Sequence, residues 1–79
     1  MIHMGKQVRE CLDSQDRTVT WLSKQLGCTR MNAYKIFLRE SLEVELLYRI
    51  SMVLSYNFFK DLSDQFVKDS KNTKESKDR

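Results

Sequence analysis

A chain of 79 residues with no proline and only two glycines, Gly5 and Gly27, has few ways to turn sharply except between helices. Hairpins and tight β-turns draw heavily on those two residue types. No run of about four to eight residues alternates polar and apolar side chains with β-branched enrichment. The sequence therefore predicts an all-α fold. Hydrophobic residues, 41% of the chain, suffice for one core, but a thin one at this length.

Apolar spacing predicts a compact bundle of five short helices. The first runs roughly from Ile2 to Ser14, with Met4, Val8, Cys11 and Leu12 on one stripe. Thr18 is placed to cap a second helix, whose stripe is Val19, Leu22, Ser23 and Leu26. The small Ser23 predicts close approach of another helix. Gly27 then ends the helix and Thr29 opens the next. So short a connection makes the two helices cross steeply, as in a helix-turn-helix, here at about 19–38.

In the third helix Ala33, Ile36 and Phe37 face inward, leaving Arg30, Met31, Tyr34, Lys35 and Leu38 outward. Three apolar side chains on that outer face predict that something covers it part of the time. Ser41 is expected to cap a fourth helix, with Glu43 and Glu45 in its first turns and a stripe of Val44, Leu47, Tyr48, Ser51 and Leu54. Asn57 caps a fifth, carrying Phe58, Phe59, Leu62 and Phe66. From Lys68 onward no apolar residue occurs. The division expected is one domain over 1–67 and a disordered polar tail over 68–79.

Charge is unevenly placed. Residues 17–39 hold Arg17, Lys24, Arg30, Lys35 and Arg39 with no acid, a segment charge of +5. Residues 2–16 sum to −1 and residues 40–67 to −3. A basic segment between acidic ones suits a domain with one polyanion-facing side. The other reading is a solvated face with chance clustering.

Several classes find no support. No apolar stretch approaches the ~18 residues needed to span a bilayer, and "MIHMGKQVRE" lacks a signal peptide's apolar centre. A cytoplasmic protein is expected. Cys11 and Cys28 lack CxxC spacing and are expected to act as small core hydrophobes. The only histidine, His3, lies at an end expected to fray, so no metal or other cofactor is expected. No Ser–His–acid set and no Gly-rich phosphate loop occur, so no enzyme is expected.

The runs "MGKQVRECL", "LSKQLGCTRMNAYKI" and "ELLYRISMVLSYNFFKDL" together resemble the phage-repressor-like helix-turn-helix DNA-binding domains (lambda repressor/Cro, XRE-type). Ser23, Gly27 and Thr29 match that family's small residue, helix-ending glycine and helix-opening Thr. Leu46, Leu47, Ile50 and Leu54 match its closing helix pair. Two positions depart from it: Val19 stands where Gln is common, and "FLRES" lacks the usual loop glycine.

The resemblance implies a small bacterial or phage-type transcriptional regulator. Its recognition helix, residues 30–38, would lie in the major groove of double-stranded DNA. Arg30 would then read guanine or hold a phosphate; Lys35 is open between the same two roles. Met31 would pack on a thymine methyl or fill a gap against the second helix, and Asn32 would read adenine. Tyr34 would reach a phosphate or pack beside the second helix. Arg17, Thr18, Lys24, Thr29 and Arg39 would position the DNA backbone. Trp21 would contact DNA, fold over the helix end or meet a partner subunit.

Phe58, Phe59 and Phe66 exceed what a short closing helix needs for its own docking, and dimeric members of the family that the chain resembles often pair through this end. A homodimer through the C-terminal helix, 58–67, is therefore expected; the alternative is that all three complete the monomer core. A second function stays open: a protein-interaction module of the same fold, an antitoxin-like or accessory partner.

Overall fold

The computed structural model describes residues 2–72. Among them the chain forms five helices and no strand: α1 (Met4–Ser14), α2 (Val19–Leu26), α3 (Arg30–Leu38), α4 (Val44–Leu54) and α5 (Phe58–Asn72). Four of the five starts are capped by a side chain, which satisfies amides with no partner inside the helix. The Thr18 hydroxyl accepts from Trp21 N–H at 3.0 Å and the Thr29 hydroxyl from Asn32 N–H at 3.1 Å. Asn57 Oδ1 accepts from Phe59 and Lys60 N–H at 3.0 and 3.2 Å. His3 belongs to this set and is not a frayed terminus: its Nδ1 accepts from Lys6 N–H at 3.0 Å.

The fourth helix departs from expectation. It starts after Glu43, without a side-chain cap, and Ser41 lies outside it. The segment before it is held extended, because Met4 and Gly5 N–H donate to the carbonyls of Glu40 and Arg39, each at 2.9 Å. Its buried residues are Leu47, Ile50 and Leu54, whereas Val44 and Tyr48 are exposed. Apolar residues occur all round this helix, so two stripes compete in the sequence; packing against α1 and α2 selects the one containing Ile50.

α2 closes as its glycine predicts. Gly27 is left-handed at φ 72°, with Cys28 N–H on Ser23 O at 2.9 Å and Gly27 N–H on Lys24 O at 3.3 Å. The same closure ends α1 at Asp16 (φ 56°) and α4 at Ser55 (φ 52°), where no glycine signals it.

The core is Met4, Val8 and Leu12 of α1, Val19, Leu22 and Leu26 of α2, Ala33 and Ile36 of α3, the three α4 residues and Phe58. Ser23 is buried with them, its hydroxyl donating to Thr20 O at 2.9 Å. Phe37, Cys11 and Cys28 pack half-buried at the edge of this core. Burial and the Asp61 charge push the Cys11 thiol above its ordinary range, offset in part by the Gln15 amide.

Two long side chains tie helix ends together. Arg49 Nη2 donates to Leu26 O, and Gln15 Nε2 to Leu54 O, each at 2.7 Å. A cation on the last carbonyls of α2 also meets the negative end of that helix.

α5 is anchored at its start and projects at its end. Phe58 is fully buried, Phe59 and Leu62 are half-buried, and Phe66 is exposed. The three phenylalanines therefore do not jointly complete the core. The helix also continues to Asn72, through residues expected to belong to the polar tail. Pairs four residues apart support its solvated length, Lys60 with Asp64 and Gln65 with Asp69, each at 3.1 Å. The rest of the expected tail, residues 73–79, lies outside the described residues.

Candidate nucleic-acid interface

The position of α3 is set by a close contact with α1. Gly5 faces the end of α3 so closely that a Cβ there would collide with the carbonyl oxygens of Ile36, Phe37 and Arg39. Only glycine permits this approach, which brings the α1 amides onto the chain leaving α3. With Ala33 and Ile36 buried on the other side, the remaining face of α3 is fixed outward.

Arg30, Met31, Asn32, Tyr34, Lys35 and Leu38 are all exposed on it, and Arg39 follows at its end. At 100° per residue, Met31, Lys35 and Leu38 stand in the middle of this face. Tyr34 lies beside them, and Arg30 and Asn32 stand at its two borders. Met31 is 69% exposed, so it fills no gap against α2. Tyr34 rests edge-on against Phe37 of its own helix, ring centres 6.0 Å apart, and its hydroxyl end is free to reach outward.

Trp21 and Lys24 stand three residues apart on the side of α2 away from its buried stripe, and Arg17 lies just before the helix cap. Trp21 is neither fully outward nor free: it is half-buried against the core edge, with the Arg17 guanidinium 4.4 Å above its ring. Thr18 and Thr29 are exposed, and their hydroxyl oxygens serve as helix caps while their O–H groups remain donors.

The electrostatics follow from what surrounds these cations. Among the described residues the two ion pairs, Arg9–Asp13 and Lys60–Asp64, lie on α1 and α5. None of Arg17, Lys24, Arg30, Lys35 and Arg39 has a carboxylate partner there, so the α2–α3 unit keeps its full positive charge. In comparisons with protein-family models, curated proteins and solved structures, none matches the chain.

Other site chemistries have less to build on. Among the described residues no three His, Cys, Asp or Glu gather as a metal site, and no helix is long and apolar enough to cross a membrane. A shallow groove of about 410 Å³ lies between α4 and α5, lined by Tyr48, Ser51, Met52, Ser55, Tyr56, Asn57 and Phe59, none of them charged. Sequence reasoning missed Gly5, Arg49 and Gln15, which hold the elements of the site in place. For Gly5 a signal existed, since an isolated glycine inside a helical pattern often marks close packing. For Arg49 and Gln15 the partners lie 23 and 39 residues away, beyond any local pattern.

Proposed function

We propose that the chain binds double-stranded DNA sequence-specifically, as a small transcriptional regulator of helix-turn-helix type, with α3 in the major groove. The observation that carries this is the set of five exposed cations on α2, α3 and the residues flanking them, with no carboxylate among the described residues to neutralise them. Arg30 and Lys35 are the side chains proposed to read guanine, Met31 to pack on a thymine methyl, Asn32 to read adenine, and Tyr34 to reach a phosphate. Arg17, Thr18, Lys24, Thr29 and Arg39 position the duplex backbone.

Arg30→Ala should cost about 1–3 kcal/mol on the preferred site and relax one base position, whereas Lys24→Ala should weaken all sequences alike. Titrations of both variants against preferred and scrambled duplexes check this. Equal losses on both duplexes for Arg30→Ala would remove it from the base-reading set.

One observation favours a second reading. Met31, Tyr34 and Leu38 are 69%, 51% and 79% exposed on the same face, an apolar group that a protein partner would cover more fully than DNA. Salt separates the two. Log affinity for DNA falls with log salt by about 0.9 per phosphate contact, and a protein complex on this face gives a much flatter line.

The regulator is further proposed to act as a homodimer. Val44, Tyr48 and Met52 of α4, Tyr56 of the connection, and Phe66 and Val67 of α5 expose large apolar side chains that a second copy would cover. In the dimeric domains that the sequence resembles, such pairing sets the two recognition helices one DNA turn apart, about 34 Å. Sedimentation at tens of micromolar should show a dimer that Phe66→Ala weakens; a monomer with and without DNA contradicts it.

A further inference from the structure

We infer that Trp21 is a positioning residue for DNA binding: its indole holds the Arg17 guanidinium as a pre-set clamp for a backbone phosphate. This rests on the DNA-binding proposal above. Arg17 is fixed at both ends. Its backbone N–H is bound to Leu12 O at 3.1 Å, in the closure of α1, and the next residue caps α2. Its guanidinium lies 4.4 Å over the Trp21 ring.

The contrast with Arg9 decides what such a stack is for. Arg9 also stands over an aromatic ring, 5.1 Å from the centre of Phe37, but its Nε is bound to Asp13 at 3.3 Å. That cation is already neutralised, and its place is structural. Arg17 has the ring without the carboxylate. A guanidinium held over a ring face keeps N–H donors in its own plane for a phosphate oxygen. A free arginine gives up most of its rotamer freedom when it fixes a phosphate; a stacked one has given up much of it beforehand. Lys24, one turn beyond Trp21 on the same side of α2, extends the positive stripe past the aromatic. Trp21 thus acts through Arg17 and carries no sequence information itself.

The test is a double-mutant cycle read by anisotropy of a labelled mixed-sequence duplex over a range of salt. Trp21→Leu should weaken binding about two- to fivefold, the range expected for an exposed cation–π contact. Trp21→Phe should retain most of the affinity. Arg17→Ala should lower affinity and flatten the salt slope by about 0.9. In the Arg17→Ala background, Trp21→Leu should have no further effect. Because Trp21 also touches the core edge, Arg17→Lys serves as the second variant: it leaves the ring untouched and should lose about two- to fivefold.

Wild-type affinity in Trp21→Leu or in Arg17→Lys overturns the clamp. So does an undiminished Trp21→Leu loss without Arg17. Absence of any DNA binding by the wild-type chain at low salt overturns the parent proposal, and the clamp with it.

Discussion

Gly5→Ala should cost about 2–4 kcal/mol, although it adds a single methyl group and replaces a poor helix former with the best one. On an exposed helix position the same change stabilises by roughly 1 kcal/mol. Here the new Cβ would press on three backbone carbonyls, those of Ile36, Phe37 and Arg39, none of which can swing aside as a side chain would. The helix must shift, at the usual cost of overpacking, about 1–3 kcal/mol. The shift also loosens the hydrogen bonds from Met4 and Gly5 to Glu40 and Arg39, each contributing about 1 kcal/mol. Urea unfolding of the two proteins measures the difference. A stability equal to or above wild type would show that α1 does not approach α3 this closely. On the proposed function, the same variant should also bind DNA more weakly even where it remains folded, because α1 and the chain leaving α3 together orient the outer face of α3.

Phe58→Ala should be the most damaging single truncation, at about 3–5 kcal/mol. Phe58 is fully buried, the largest such side chain in the core, and with half-buried Phe59 and Leu62 it fastens α5 to the rest. Its ring also meets Tyr56 edge-on at 4.7 Å. For a domain whose whole stability is of order 5–10 kcal/mol, that loss leaves a substantial unfolded fraction at 37 °C. Phe66→Ala is the matched control: the same chemistry eight residues on, at a position 69% exposed, should change monomer stability by less than about 0.5 kcal/mol. Thermal unfolding of both separates an anchor from a surface residue. Equal losses would mean that the far part of α5 is packed as firmly as its start.

These two positions also show where the sequence was legible. Elements governed by neighbours in the chain were readable: Thr18, Gly27, Thr29 and Asn57 each act within three residues of themselves, and each bounds a helix as expected. The stripes of α2 and α3 were readable because Val19, Leu22, Ser23 and Leu26, and Ala33 with Ile36 and Phe37, recur at three- and four-residue steps. α4 was not, since apolar residues surround it and only its partners choose a face. The length of α5 was missed for the opposite reason. Its last turns bury nothing, and side-chain pairs along the helix sustain them where composition suggested a tail.

Of the candidate site, the exposure of Arg30, Lys35, Met31, Tyr34 and Leu38 followed from the inward stripe of α3. The stack of Arg17 on Trp21 did not, because Arg17 lies before the cap of α2, where helical spacing does not say which way its side chain turns. The closeness of α1 to α3 escaped for the same reason, being a long-range contact recorded in the sequence only as a missing side chain at Gly5.

The most direct test of sequence-specific DNA binding is selection of bound duplexes from a random pool, repeated with Arg30→Ala. The expected result is one enriched motif containing G and T, with a guanine position that relaxes in the variant and an affinity that falls steeply with salt. A pool that yields no motif, together with an affinity indifferent to salt, contradicts DNA reading by α3 and leaves its apolar face to a protein partner.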